Sequence, residues 1–157
     1  MNGEKLLDNV GRQILRALQE NGRVSFSELG RMVGLSSPAV TERVRRMEES
    51  GYIKGYKTIV NQEKLGFPIT VFVDVEVNAG KINEANEIIG QIPEITEAYR
   101  LSGDYGFMLK VVIASMEHLE SVIGRVGEFG TPTTSMVLST PVSSRPLDRY
   151  AGHSATE

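Results

Sequence analysis

Two helix starts separated by a glycine constrain the fold of this chain more than any other feature of its sequence. Ser25 is followed three residues later by Glu28, a pairing that closes the first turn of a helix with reciprocal hydrogen bonds. Ser36 precedes Pro38, and both residue types are favoured where a helix begins. Gly34 lies between the two starts, and glycine ends helices because it reaches the left-handed conformation without steric cost. The pattern predicts a short helix, a tight turn and a longer helix, which is the helix-turn-helix arrangement.

The longer helix, residues 36–50, is predicted to have one apolar side and one charged side. Val40, Val44 and Met47 recur at helical spacing, and Gly51 marks the end of the helix. The opposite side carries arginines, which suits insertion into a groove of DNA. Glutamates in the same stretch leave a second interpretation open, a solvated surface helix.

A third helix is predicted in front of this pair. Asp8 can cap its start, and it ends near Glu20. Gly11 inside it costs up to ~1 kcal/mol relative to alanine and has no explanation at this level. The apolar positions of this helix and of the short helix after it are Ile14, Leu15, Leu18, Leu29, Met32 and Val33. Three such helices can share one small core, and an unrelated three-helix bundle is the alternative.

The predicted DNA contacts divide into residues that read bases and residues that hold the phosphate backbone. Arginine pairs with guanine, glutamate accepts from cytosine, and threonine touches the thymine methyl group. The residues placed for base edges are Ser37, Pro38, Thr41, Glu42 and Arg45, with Ser36 at the helix start completing the interface. Phosphate contacts, which position the protein without specifying a sequence, are predicted for Arg31, Arg43, Arg46, Lys54 and Lys57.

Charge is distributed unevenly along the 157 residues. Residues 1–60 contain 10 Lys and Arg against 7 Asp and Glu, a net charge of +3, whereas residues 61–157 contain 7 against 13, a net charge of −6. A basic first part favours a nucleic acid partner, and an acidic second part favours another role. The sequence has no cysteine, no signal-peptide pattern and no apolar run of membrane length, so we expect a cytoplasmic, nucleoid-associated protein.

The second half of the chain alternates between strand and helix patterns. Strands are predicted at 71–77, 95–101, 107–113 and 134–142, with helices beginning near Ile82 and after Ser115. The resulting order βαββαβ is that of an α+β, ferredoxin-like domain, with both helices on one face of an antiparallel sheet. The other face is expected to carry Phe72, Met108 or Met136, and exposed apolar residues there favour pairing with a second copy of the chain.

The predicted domains follow from these patterns. A helix-turn-helix domain occupies residues 1–60. Its last part, residues 52–60, is predicted as a β segment, which makes the domain a winged or strand-extended helix-turn-helix. A linker at 61–68 leads to the ferredoxin-like domain at 69–142, and a polar tail occupies 143–157.

Catalytic and metal-binding sites are not indicated. His118 and His153 stand alone, without the paired spacing of metal ligands. Asp74 and Glu76 share one strand face and fit a solvated surface, and residues 124–127 lack the lysine of a phosphate-binding loop. We therefore predict no enzyme activity, no catalytic residue, no metal and no cofactor.

The stretch from Gly34 to Glu48, followed by Gly-Tyr-Ile-Lys-Gly-Tyr at 51–56, resembles the Lrp/AsnC family of leucine-responsive, or feast–famine, regulators. The resemblance continues through Leu65-Gly66 and the turn that begins at Ser102, so it covers nearly the whole chain. It implies an N-terminal helix-turn-helix, a linker strand, and a C-terminal ferredoxin-like domain that forms homodimers and senses amino acids. It also implies that dimers assemble further, often into octamers that wrap or bend double-stranded DNA.

Effectors in this family bind between dimers, and the resemblance implies where such a site would lie here. The positions are Ser102, Gly103, Asp104, Tyr105 and Gly106, with Thr133, Thr134 and Ser135 opposite. Two departures from the family pattern stand out, because Gly11 and Gly106 both occupy positions where family members have an acidic residue. A carboxylate at 106 would pair with the ammonium group of an amino acid, so its absence leaves open whether an effector binds, with Asp104 as a substitute partner.

Together the sequence predicts a sequence-specific, DNA-binding transcriptional regulator of the Lrp/AsnC type, modulated by an amino acid or a related small molecule. The first alternative is an architectural protein that wraps DNA without sensing a ligand. The second is a small-molecule-binding or enzymatic ferredoxin-like protein.

Overall fold

The computed structural model describes residues 6–78, 80–103 and 106–147 of the chain. These residues form two compact units. The first joins the residues up to Ile59 with a segment that begins at Val142, and the second spans Val60–Pro141. No helix within the described residues has the length and hydropathy needed to span a membrane.

Three helices build the first unit, and each begins at the predicted cap. Helix α1 spans Asn9–Glu20, α2 spans Phe26–Val33 and α3 spans Ser37–Glu49. The side chains of Asp8, Ser25 and Ser36 accept hydrogen bonds from backbone N–H groups of the three first turns, at 2.7, 3.1 and 3.4 Å respectively. The core of the unit consists of Ile14, Ala17, Leu29, Val40, Val44 and Met47. The predicted helix-turn-helix is therefore present, with the apolar side of α3 buried.

Two expectations for this unit were wrong. Met32 was placed on the apolar side of α2, but its side chain is 59% exposed, because α2 buries only Leu29 and Gly30. Residues 52–60, predicted as a β segment, are not assigned to a strand. A strand requires a hydrogen-bonded neighbour, and the four-stranded sheet of the described residues includes no strand from this segment.

Residues 142–147, the described part of the segment that begins at Val142, belong to the first unit. The side-chain amide of Gln19 donates from Nε2 to the carbonyl oxygen of Leu147 at 3.0 Å and accepts from the Leu147 N–H at 2.7 Å. This reciprocal pair resembles one rung of a β ladder, built with a side-chain amide in place of one backbone. Residues 148–157 of the predicted polar tail lie outside the described residues.

The second unit has the predicted βαββαβ order. Its elements are β1 (Ile69–Val77), α4 (Ile82–Gly90), β2 (Ile95–Arg100), β3 (Phe107–Ile113), α5 (Met116–Val126) and β4 (Gly130–Met136). The sheet is antiparallel with strand order β2-β3-β1-β4, and apolar side chains of both helices pack with the alternate valines of β1 in one core. The expected α+β, ferredoxin-like domain is therefore observed.

The strand β4 differs from its predicted position. It was placed at 134–142 but begins at Gly130, where it pairs with Val77, and ends at Met136. Pro132 lies within it because β4 is an edge strand, whose outer side needs no N–H donor.

The register decides which side chains occupy the sheet face away from the helices. Phe72 pairs with Lys110 and Ser135, and the next residue on the same face is Asp74, opposite Met108. Phe72 and Met108 therefore lie on the open face, as expected. Met136 does not, because it pairs with Val71 and so points to the helix-covered side.

Candidate nucleic-acid interface

Helix α3 is held in place by close packing against α2. Gly30 has no room for a side chain, since a Cβ atom there would lie 2.5 Å from the carbonyl oxygen of Leu35 in the turn. Gly34 ends α2 with φ of +72°, a conformation that glycine adopts without strain. The turn can therefore bring the start of α3 directly against α2. This is the bracing that a recognition helix needs in order to present its N-terminal residues.

The start of α3 presents small and hydroxyl-bearing residues. Pro38 and Thr41 are exposed, and Ser37 is half-buried. The Thr41 hydroxyl donates to the carbonyl oxygen of Ser37 at 2.9 Å, so its hydrogen is already used within the helix. The hydroxyl of Ser36 accepts from the first turn. Because Thr41 is exposed, its methyl group can make an apolar contact such as one with the thymine methyl group.

The charged residues further along α3 form one connected cluster. Glu42 Oε1 accepts from Arg45 Nη2 and from Arg46 Nε, both at 2.8 Å, and Glu42 Oε2 accepts from Arg45 Nε at 3.0 Å. Arg45 also donates to Glu49. The hydrogen bonds from Arg45 and then Arg46 lower the pKa of Glu42 to about 2, so this carboxylate stays ionised at neutral pH. We call Glu42, Arg45, Arg46 and Glu49 the Glu42 cluster.

Arg43 lies in a different environment from the other two arginines of α3. Its guanidinium makes a two-pronged ion pair with Asp8, with Nη2–Oδ2 at 2.6 Å and Nη1–Oδ1 at 2.9 Å. Its side chain is only 22% exposed. Because Asp8 also caps α1, this pair ties the start of α1 to the middle of α3. The sequence pattern could not reveal Asp8 as a partner, since the two residues are 35 positions apart.

The remaining predicted phosphate contacts are exposed cations. Arg31 lies near the end of α2, and Lys54 and Lys57 lie in the segment after α3. Both lysines line a groove of about 710 Å³ that is also bounded by Tyr56 and Leu147. The Tyr56 hydroxyl donates to Glu48 Oε1 at 2.9 Å, and burial together with this bond raises the pKa of Tyr56 to about 12. Tyr56 thereby fixes the segment that carries the two lysines to the end of α3.

The predicted effector positions are divided between strands. Gly103 has φ of +98°, and Asp104 and Tyr105 lie outside the described residues, so the turn between β2 and β3 is described at Ser102, Gly103 and Gly106. Thr133 pairs with Asp74 and Ser135 with Phe72, which places both on the open face, whereas Thr134 pairs with Val73 and points to the opposite face. The strand β1 lies between the turn and these three residues.

Gly106 is packed so closely that a side chain at this position would require a shift of Val77. Its N–H donates to the carbonyl oxygen of Val75 at 2.8 Å. A Cβ atom at this position would lie 2.5 Å from Cγ2 of Val77 and 2.9 Å from its Cβ. The side chain of Val77 therefore occupies the space that a side chain at position 106 would need.

Of the two histidines, His118 lies among the described residues. His118 Nε2 lies 2.8 Å from Glu94 Oε1, and His153 lies outside the described residues. Among the residues that the structure describes, no group of three or more potential metal-binding side chains is present.

Two family models match this chain, one for each unit of the fold. The AsnC-type helix-turn-helix domain matches residues 7–48, and the Lrp/AsnC ligand binding domain matches residues 70–147. The chain belongs to the Lrp/AsnC family. This membership confirms the predicted class, a DNA-binding transcriptional regulator and not an enzyme.

Individual relatives of known sequence or structure agree with this assignment. The HTH-type transcriptional regulator FL11 of Pyrococcus furiosus is 35% identical over 122 residues, which cover 78% of this chain and 81% of that protein. The structure of LrpC from Bacillus subtilis matches with a TM-score of 0.83 at 34% identity, covering 88% of this chain and 99% of that one. A feast or famine regulatory protein from M. tuberculosis, solved in complex with L-methionine, matches with a TM-score of 0.82 at 31% identity, covering 88% of this chain and 97% of that one.

Proposed function

We propose that this Lrp/AsnC regulator recognises its operators by inserting α3 into the major groove, with Thr41, Glu42 and Arg45 reading bases. The observation that carries the proposal is the position of α3, whose buried side locks it against α2 while its charged side stays exposed. Arg46 and the lysines after α3 supply phosphate contacts. Arg43 acts as an internal brace through Asp8, in place of the phosphate contact that its sequence position indicates.

The test compares arginine variants in DNA binding. A preferred sequence is first selected from a library of random duplexes, and affinities for it and for a scrambled duplex are measured by fluorescence anisotropy over a range of salt concentrations. Arg45→Ala should relax the preference, whereas Arg46→Ala should weaken binding to the selected duplex and lower the salt slope measured on it by about one. Arg16→Ala, which removes an exposed arginine of α1 from a similar ion pair, is the matched control. Failure of the parent to select any sequence would contradict the proposal.

The functional assembly is a homodimer that associates further, up to an octamer, at the nucleoid in the cytoplasm. Half-buried Phe72 and Met108 on the open face of the sheet support pairing of two copies there. A dimer presents two α3 helices to a roughly palindromic site. Sedimentation velocity over a concentration series tests this, and a monomer at micromolar concentration would contradict it.

An amino acid is the proposed effector, bound between dimers near the β2–β3 turn and β4. The L-methionine complex of the M. tuberculosis relative supports this class of ligand. A thermal-shift screen of the amino acids should give a shift that is lost on changing Tyr105 or Thr134. Position 106 is a closely packed glycine, so it supplies no carboxylate to pair with the ammonium group of an amino acid. A second candidate is therefore a regulator that wraps DNA without a ligand. Uniform silence in the screen, together with length-dependent and sequence-tolerant DNA binding, would favour that candidate.

A further inference from the structure

The helix that meets DNA carries no net charge. Helix α3 contains three arginines and three glutamates, and Arg43 is already committed to Asp8. The Glu42 cluster, which faces outward, contains two cations and two carboxylates. Attraction to the phosphate backbone, the main term in non-specific DNA binding, is therefore largely cancelled at the surface that approaches DNA.

Glu42 is the centre of this cancellation. Its carboxylate accepts from the Nε–H and Nη2–H of Arg45, which form one edge of that guanidinium, and also from the Nε–H of Arg46. If Glu42 did not accept from these N–H groups, they could donate to phosphate oxygens or to the acceptor atoms of guanine. In the absence of DNA, Arg45 and Arg46 therefore both donate to Glu42.

Helix stability does not account for this arrangement. The side chains of Glu42, Arg45 and Arg46 are 45%, 54% and 61% exposed. Exposed ion pairs of this kind contribute little to folding. Near DNA, a carboxylate that has lost its arginine partners would be repelled by the phosphates.

We propose that Glu42 is a specificity-determining residue that withholds Arg45 and Arg46 from non-cognate DNA. On arbitrary DNA, if Arg45 and Arg46 turn toward the phosphates, the Glu42 carboxylate loses both partners and is left unpaired close to the negative charge of the phosphates. At a site that offers an amino group at the matching position, such as cytosine N4, the carboxylate exchanges its arginine partners for the base. The arginines are then released for guanine and phosphate. Specificity in this scheme arises from a repulsive element that acts against the wrong partner.

The experiment uses the full-length chain and rests on the proposed function of α3. Glu42→Gln keeps the size of the side chain and removes its charge, whereas Glu20→Gln removes the partner of Arg16 in an ion pair of the same spacing on α1 and serves as control. Both are compared with the parent on the selected duplex and on the scrambled duplex, over a range of salt concentrations. Circular dichroism checks that each variant is folded.

Glu42→Gln is expected to bind the scrambled duplex about tenfold more tightly, with a salt slope steeper by about one, because one more phosphate contact becomes available. The ratio of affinities for selected over scrambled DNA should fall about tenfold, and Glu20→Gln should match the parent. Unchanged affinity and salt slope on scrambled DNA, in a variant that still binds the selected duplex, would overturn the role of Glu42 and leave the proposed function standing. Absence of DNA binding by both parent and Glu42→Gln would overturn both.

Discussion

At the scale of single residues, helix propensity and packing have opposite requirements at Gly11. Glycine is disfavoured inside α1, yet a Cβ atom at this position would lie 1.7 Å from the carbonyl oxygen of Leu6 and 3.0 Å from Cε of Met47. The backbone before α1 therefore lies directly on the helix, and Met47 of α3 fills the remaining space. No side chain fits at position 11 without moving this backbone.

We expect Gly11→Ala to destabilise the first unit by about 2 kcal/mol, because overpacking outweighs the better helix propensity of alanine. Gly124→Ala is the matched control, since Gly124 lies in α5 with no atom within 4 Å of the added Cβ. That variant should be neutral or more stable by up to ~1 kcal/mol. Urea unfolding followed by circular dichroism measures both, and equal stability of the two variants would show that the backbone at Leu6 yields easily.

At the scale of elements, Glu94 links α5 to the connection between α4 and β2. Its side chain is 17% exposed, and Oε1 accepts from His118 Nε2–H at 2.8 Å. The other ring nitrogen of His118 accepts from the Ala114 N–H at 3.4 Å, which identifies Nε2 as the protonated nitrogen. Arg125 Nη1 lies 3.7 Å from Oε2. The hydrogen bond from His118 is the main cause that lowers the pKa of Glu94 below its ordinary value of 4.5.

A lowered pKa in the folded state means that folding favours ionised Glu94. Its contribution to stability is complete above pH 4.5 and is lost as the pH falls through the lower folded-state value. Glu94→Gln should therefore be less stable than the parent by about 1 kcal/mol at pH 7. The difference should shrink at more acidic pH, and Glu87→Gln, which changes an exposed glutamate of α4, is measured alongside as a control. A difference that is constant between pH 7 and pH 3 would argue against the linkage.

Sequence reasoning located the elements whose signals are local and missed contacts that depend on the assembled fold. Ser25, Gly34 and Ser36 act within four residues of themselves, so the helix-turn-helix could be predicted from them. The Arg43–Asp8 pair and the Glu94–His118 pair join residues 35 and 24 positions apart, and no periodicity encodes such partners. The strand β4 was predicted at 134–142 but spans Gly130–Met136, because its pairing with β1 sets its position and its place at the sheet edge tolerates Pro132.

At the scale of the whole molecule, each unit has its own hydrophobic core. Leu29 is fully buried in the first and Leu109 in the second. Each core consists of residues of its own unit, so a core substitution should lower the stability of that unit more than the stability of the other.

Leu29→Ala and Leu109→Ala should each destabilise their own unit by about 2–5 kcal/mol, because each leaves a cavity in a closely packed core. Hydrogen exchange followed by mass spectrometry resolves the two effects. Leu29→Ala should raise exchange in residues 6–59 and also at Leu147, whose N–H is held by Gln19. Leu109→Ala should raise it in residues 60–141. Equal increases in both units from either variant would show that they unfold together.

The pairing of Gln19 with Leu147 has a consequence for how the protein is made. During translation, residues 60–141 are synthesised after the first part of the first unit and before its second part, which begins at Val142. At 5–20 residues per second, this interval lasts roughly 4–16 s. A nascent chain therefore carries its three helices for several seconds before the segment that docks on α1 exists. The DNA-binding unit receives its final backbone contact only after the ferredoxin-like unit has been synthesised, so a truncated translation product lacks that contact.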